Sequence, residues 1–90
     1  MEIVVQKYGG SSVADISKLE RVAKRIAQTA RKGKRICIVV SAMGGSTDKL
    51  MALAKQITTS PPRRELDMLL SSGERIAMAL LAMAIQKHGF

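Results

Sequence analysis

Two stretches of the chain follow the same pattern: residues 3–10 read IVVQKYGG, and residues 36–45 read ICIVVSAMGG. In each, a short run rich in β-branched residues leads to a pair of glycines, which is typical of a buried strand followed by a tight turn. The strands are expected over residues 3–6, ending at Lys7, and over residues 35–41. After each glycine pair the apolar residues change to helical spacing. The pattern therefore predicts a strand, a glycine turn and a helix, repeated once.

The first helix is predicted to begin at Ile16 and to bury one continuous face. The apolar residues of that face recur at helical spacing: Ile16, Leu19, Val22, Ala23, Ile26, Ala27 and Ala30. Asp15 is the expected N-cap, or else Ser17 forms a capping box with Glu20. Gly33 is the expected end of the helix.

Two more helical segments are predicted after the second glycine turn. The first of them has Thr47 or Asp48 as its expected cap and ends at residues 58–62, TTSPP, because proline cannot continue a helix. The last helical segment is predicted over residues 64–87, with a kink or weak point at the Ser-Ser-Gly of residues 71–73.

The order β-α-β-α-α predicts an α/β fold with two neighbouring parallel strands. Parallel strands need cover on both faces, and residues 76–85 are apolar on all sides, so they need to be enclosed as a buried helix. Two strands and two helices cannot enclose them. Residues 1–90 are therefore expected to be the N-terminal part of a larger α/β catalytic domain, a parallel sheet flanked by helices, with no regulatory domain.

Composition and charge narrow the class of protein. The chain has 90 residues, 47% apolar and 24% charged, which fits one soluble globular unit and not a disordered or fibrous chain. The net charge of +8 suits nucleic acid, anionic lipid or a phosphorylated small molecule. Residues 76–85 are about half the length of a membrane span, and no basic, apolar leader opens the chain. We therefore expect a cytoplasmic location and no membrane role.

Several residues that could carry chemistry are expected to be structural. Eight of the fifteen basic residues lie between positions 18 and 35, where a solvated helix face is expected, since no aromatic residue is interleaved to stack on bases. The single cysteine, Cys37, lies inside an apolar run and is expected to be buried and inert. His88 has no cysteine or histidine at ligand spacing, so no metal site is predicted.

The two glycine turns are the candidate binding site. Ligands of open parallel sheets bind beyond the carboxyl ends of the strands, where both turns are expected. Gly9, Gly10 and the Gly44-Gly45 pair lack Cβ atoms, so a ligand can approach the backbone, and each following helix dipole favours an anion. Lys7 could neutralise phosphate charge in a phosphoryl-transfer reaction. The alternative interpretation is a tight turn beside an exposed lysine, since the spacing is neither a Walker A loop nor Gly-x-Gly-x-x-Gly.

Hydroxyl groups and one carboxylate are the remaining candidates. Ser41, Ser46 and Thr47 crowd the second turn, where they could bond a substrate or cap the helix. Glu74 follows the Ser-Ser-Gly bend inside an apolar helix. It could pair with Arg75, or it could face inward and hold a cationic group.

The chain resembles the N-terminal part of aspartate kinases, in the amino acid kinase superfamily. The resemblance covers the whole chain and rests on four segments in order: VQKYGGSSV at 5–13, VVSAMG at 39–44 with Thr47 and Asp48, PP-x-RELDMLL at 61–70, and SGE at 72–74. Ser11 stands where many members of the family have threonine, which keeps the hydroxyl. Gly45 and Ser46 depart from the residues more common there.

The resemblance implies ATP-dependent phosphorylation of the β-carboxylate of L-aspartate, which begins lysine, threonine and methionine synthesis. It implies a catalytic and ATP-binding role for Lys7. The other residues that it assigns to ATP are Tyr8, Gly9, Gly10 and Ser11, and those that it assigns to aspartate are Ser41, Thr47 and Glu74. Mg²⁺ is expected with ATP, and self-association or assembly with the rest of the enzyme is expected of the chain.

Two other functions remain open at this point. One is another phosphotransferase of the amino acid kinase superfamily, which the context of Thr47 and Glu74 disfavours. The other is a non-catalytic basic module that binds nucleic acid or a protein. The isolated chain, with only part of a site, is expected to be inactive.

Overall fold

The computed structural model describes residues 2–90 and contains two strands, three α-helices and one 3₁₀-helix. In chain order these are β1 (Ile3–Tyr8), the 3₁₀-helix (Gly10–Val13), α1 (Ile16–Arg31), β2 (Arg35–Val40), α2 (Ser46–Ile57) and α3 (Arg63–Gln86). The predicted α/β class and the order β-α-β-α-α are confirmed, with the 3₁₀-helix added between β1 and α1.

The two strands pair in parallel, as predicted. The register runs from Ile3 opposite Arg35 to Tyr8 opposite Val40. The backbone N–H of Ser41 donates to the carbonyl of Tyr8 at 3.1 Å, so the pairing continues one residue beyond β2. Both strands therefore end at the same edge, and both glycine turns begin there.

Helix α1 covers one face of the sheet with the predicted apolar stripe. Its buried residues are Leu19, Val22, Ala23, Ile26 and Ala27. Ile16 is the exception, at 53% exposed. Asp15 caps the helix, since its carboxylate accepts from the backbone N–H of Lys18 at 2.9 Å. The capping box of Ser17 with Glu20 is not formed.

The predicted weak point at residues 71–73 is wrong, because α3 continues through it. The hydroxyls of Ser71 and Ser72 donate to the carbonyls of Met68 and Leu69, at 3.0 and 2.6 Å, and these bonds are compatible with an unbroken helix. Gly73 is buried. A side chain here would enter the contact of α3 with Ala42 and with Leu50 of α2, so close packing accounts for the glycine.

The other face of the sheet is open, and this overturns the expectation that Cys37 is buried. Side chains alternate between faces along a strand, and Cys37 is exposed together with Ile3, Val5 and Val39. Helices α1 and α3 pack on the opposite face, where Ile36, Ile38 and Val40 lie against the core. A buried thiol would need a second covering layer, which residues 2–90 do not supply.

Helix α3 is likewise covered on one side only. Ala77, Leu81 and Ala84 are buried, whereas Ile76 and Met83 are 55% and 65% exposed. By length and composition alone, this 24-residue helix could cross a membrane, with a mean hydropathy of 1.5 in its most apolar window, of which 22% is buried. That is weak evidence, since core helices of soluble proteins pass the same test. Residues 76–85 were expected to be enclosed on all sides, and within residues 2–90 they are covered along one face only.

Candidate active site

The two glycine turns touch each other at the carboxyl edge of the sheet. A Cβ atom built on Gly44 would lie 2.9 Å from the Cβ of Ala14 and 3.3 Å from the carbonyl oxygen of Gly10. One built on Gly10 would lie 3.1 Å from the carbonyl oxygen of Ala42. The space beside Gly10 and Gly44 is therefore filled by protein, whereas a Cβ on Gly9 would meet nothing within 4 Å. An added Cβ on Gly45 would likewise meet nothing within 4 Å, so Gly9 in the first turn and Gly45 in the second are the glycines that leave room for a ligand.

Helix α3 meets the second turn at Gly73. A Cβ on Gly73 would lie 3.3 Å from the Cβ of Ala42 and 3.5 Å from Cδ1 of Leu50. Glu74, the next residue, thus lies at the same edge of the fold, with an exposed side chain. The ion pairs among residues 2–90 are Lys34 with Glu2 and Lys87 with Glu20. Glu74 therefore does not form the pair with Arg75 that the sequence left open.

Lys7 lies inside β1 and not in the turn, because the strand continues through Tyr8. Its side chain is exposed and belongs to the open face of the sheet. The ring of Tyr8 points to the other face and is 8% exposed, with its hydroxyl donating to Oε1 of Gln6 at 3.0 Å. The structure thus places Lys7 near the carboxyl end of β1 on the open face. The ring of Tyr8 lies in the core, and Tyr8 also lines a surface cavity together with Ser11 and Lys18.

The N-termini of the two helices after the turns differ, although both were expected to favour an anion. Asp15 caps α1, and its negative charge occupies the positive end of that helix. Helix α2 has Gly45 as its N-cap, with φ of 81° and no side-chain hydrogen bond. Of the first N–H groups of α2, that of Ser46 donates to the carbonyl of Met43, whereas those of Thr47 and Asp48 have no partner within residues 2–90 and can donate to an anion, although the carboxylate of Asp48 lies in the same turn.

The predicted caps of α2 are wrong, and the hydroxyl groups are left free as a result. The left-handed conformation of Gly45 leads the chain directly into the helix, and the N–H of Ser46 donates to the carbonyl of Met43 at 3.0 Å. Neither Thr47 nor Asp48 serves as cap. Within residues 2–90 the hydroxyls of Ser41, Ser46 and Thr47 make no hydrogen bond with another group of the chain, so they remain available to a substrate.

Three residues that shape the site were missed by the sequence reasoning. Ala14 and Ala42 contact the glycines of the opposite element, and Lys18 places its Nζ 3.5 Å from the carbonyl oxygen of Ser11, so that α1 contacts the 3₁₀-helix. The sequence signal for the two alanines was the small residues that recur at positions 9–14, 41–46 and 71–73, which allow these segments to approach closely. In the described part of the chain, no cluster of three or more His, Cys, Asp or Glu side chains could hold a metal ion.

The fold and this edge define the class of the protein. Two parallel strands end in touching glycine turns, with a lysine on one strand and an uncapped helix after the other turn, which suits two neighbouring anionic groups. A sequence model of the amino acid kinase family matches residues 2–90. The chain belongs to the amino acid kinase family.

Within that family, the chain is similar to aspartokinases. The chain is 57% identical over 89 residues to the aspartokinase of Mycolicibacterium smegmatis and 50% identical over 90 residues to that of Geobacillus stearothermophilus. The crystal structure of aspartate kinase from Synechocystis covers 94% of this chain with a TM-score of 0.90 and 50% identity, and the match spans 14% of that structure's chain. This chain spans about a fifth of the length of the two curated relatives, 21% and 22%.

Proposed function

We propose that this chain supplies the first part of an aspartokinase active site, where ATP phosphorylates the β-carboxylate of L-aspartate to 4-phospho-L-aspartate. The observation that carries this is the contact between the two turns, Gly10 against Gly44, which brings the two candidate binding turns side by side. Identity of 50% to 58% to aspartokinases supports aspartate as the acceptor over the acceptors of other family members.

The first turn is assigned to ATP. The backbone at Gly9 is open to close approach, and Ser11, in the 3₁₀-helix that follows, is exposed; Tyr8 and Gly10 flank Gly9 in the chain and are assigned to ATP with it. Lys7 contributes positive charge where the transferred phosphoryl group accumulates negative charge. In the reaction, an oxygen of the β-carboxylate bonds to the γ-phosphorus as the bond to the ADP oxygen breaks, so the chief task of these residues is to position and neutralise.

The second turn and α3 are assigned to aspartate. The uncapped N-terminus of α2, with the free hydroxyls of Ser41 and Thr47, suits a carboxylate. Glu74 has no cationic partner among residues 2–90 and is assigned to the α-ammonium group, since the other unpaired carboxylate at this edge, Asp48, lies in the first turn of α2. Anion and cation of the substrate are thus recognised by different elements, which fixes the orientation of the β-carboxylate.

Mg²⁺ is expected to accompany ATP, and its chemistry is to neutralise phosphate charge. Residues 2–90 do not offer a cluster that could hold a metal by itself, so no step is assigned to it here. Within this proposal, the activity belongs to a cytoplasmic enzyme of lysine, threonine and methionine synthesis, which self-associates or assembles with the rest of its catalytic domain.

The test is a graft of residues 2–90 in place of the matching segment of the Mycolicibacterium smegmatis aspartokinase. The same graft in the aspartokinase of Thermus thermophilus, 52% identical over 89 residues, provides a second host. We expect ADP release that requires both ATP and L-aspartate, with L-glutamate as the comparison acceptor. Grafts that fold in neither host, that fold in both but stay inactive, or that prefer another carboxylate would contradict the proposal.

A further inference from the structure

The contact between Gly44 and Ala14 is closer than an added side chain would allow. Among the seven glycines, only Gly44 would place a Cβ within 3.0 Å of another atom, at 2.9 Å from the Cβ of Ala14. The glycines with positive φ are Gly33, Gly45 and Gly89, so the backbone of Gly44 is one that alanine can adopt. Glycine is therefore needed at position 44 for space and not for conformation.

Both sides of this contact are anchored. Ala14 is the last residue before the cap of α1 and follows Val13, whose side chain is completely buried. Gly44 is held between β2 and α2, where the N–H of Ser46 bonds to the carbonyl of Met43. Neither segment can move away without losing packing or a backbone hydrogen bond.

We infer that Gly44 and Ala14 are positioning residues that set the distance between the ATP turn and the aspartate turn. The inference rests on the proposed function. Carbon atoms in contact lie about 3.5 to 4.0 Å apart, so a methyl group on residue 44 would separate the turns by about 0.6 to 1 Å. Each turn would keep its own shape, and the gap between the reacting oxygen and the phosphorus would grow.

The expected signature is a slow reaction with normal binding. A misplacement of about 1 Å can cost about 100-fold in rate, because phosphoryl transfer needs the attacking oxygen in line with the leaving group. Within residues 2–90, the groups proposed to bind ATP lie on the first turn and β1, and those proposed to bind aspartate lie on the second turn and α3. Each dissociation constant should therefore change little, and kcat should carry the loss.

The experiment compares Gly44→Ala with the exchange Ala14→Gly/Gly44→Ala in the active graft. The exchange removes the 2.9 Å contact and leaves the methyl group of residue 44 with two contacts of 3.3 Å, to the Cα of residue 14 and to the carbonyl oxygen of Gly10. We expect Gly44→Ala to lower kcat by roughly 10- to 100-fold, with the dissociation constants of ATP and aspartate within about threefold of the parent. The exchange should restore kcat to within about fivefold. Ala52→Gly is the control. Position 52 lies on the exposed side of α2 and away from both turns, so this change weakens the helix without altering the contact between the turns.

The inference is overturned if Gly44→Ala leaves kcat unchanged, if both dissociation constants rise as much as kcat falls, or if Ala52→Gly lowers kcat equally. Should Gly44→Ala not fold, the exchange alone decides: a folded protein with near-parental kcat supports the contact, whereas low kcat or failure to fold refutes it. If the parent graft is active and Gly44→Ala leaves kcat unchanged, this inference is refuted and the proposed function stands. An inactive parent graft refutes the proposed function itself, and the inference with it.

Discussion

Replacing Lys7 with alanine is expected to slow the proposed reaction without disturbing the fold. The Lys7 side chain is exposed on the open face of the sheet, so its loss removes little packing. The carboxylates that form ion pairs within residues 2–90 are those of Glu2 and Glu20, and neither pairs with Lys7. The protein itself therefore leaves the charge of Lys7 unneutralised and available to a phosphate group.

The size of the effect follows from that exposure. Removing one preorganised electrostatic group from an active site costs about 10²- to 10³-fold in kcat, or about 2.7 to 4 kcal/mol. Water screens an exposed lysine until the substrate covers it, so the lower end, about 10²-fold, is expected for Lys7→Ala. Lys7→Arg keeps the charge on a differently shaped group and should retain part of the rate.

The assay measures ADP release by the graft with saturating ATP and aspartate, together with the thermal midpoint of each variant. Lys24→Ala is the matched control, because Lys24 is an exposed lysine on α1 outside the site and its replacement makes the same charge change. A loss of kcat below about threefold for Lys7→Ala, or an equal loss for the control, would show that Lys7 is an ordinary surface lysine.

Three further outcomes are expected. Glu74→Gln in the graft should weaken aspartate binding by roughly 1.5 to 3 kcal/mol, the range for a charged hydrogen bond, and titration should show ATP affinity unchanged; an equal loss for ATP would count against the ammonium site. The 90-residue chain alone should show no kinase activity and should self-associate in sedimentation velocity, because Ile3 and Val5 are 65% and 67% exposed on an unpaired sheet face; a monomer at all concentrations would contradict this. The Lys87 ammonium, 2.7 Å from Oε1 of Glu20, lowers the pKa of that carboxyl, so the pair stabilises the fold above the unfolded pKa and is lost as the pH falls through the lower folded value. The thermal midpoints of the wild type and Glu20→Gln should therefore converge below about pH 4; a constant difference would refute the assignment.

The elements that could be predicted from the sequence are those whose cause is local. The apolar stripe of α1 and its Asp15 cap depend on residues within a few positions of each other, and both are found in the structure. The predicted weak point at residues 71–73 failed because the reason for Gly73 is not local. Ala42 and Leu50, on other elements, occupy the space where its side chain would lie.

The meeting of the two glycine turns at one edge of the sheet was predictable from the sequence, whereas the internal contacts of the candidate site were not. The carboxyl edge of the sheet, with Lys7 and the glycine turns, follows from strand order alone. The free hydroxyl of Thr47 could not be foreseen, because it depends on Gly45 serving as the N-cap of α2 through its backbone conformation. The exposure of Cys37 depends on whether a second layer covers the sheet, which a pattern of apolar residues within one strand does not reveal.

The charges of the proposed substrates make Lys7 more important than its exposure suggests. Among the residues assigned to ATP and aspartate it is the single basic one, whereas Glu74 adds negative charge and Asp48 lies in the first turn of α2. The transferred phosphoryl group carries negative charge on three oxygens, and the carboxylate that attacks it is negative too. Backbone N–H groups at α2 offset part of this repulsion, and the rest requires positive charge from the metal ion that accompanies ATP and from elements outside residues 2–90. No second cation among the assigned residues can replace Lys7, so its loss should lower kcat by about 10²-fold even though other positive charge reaches the site.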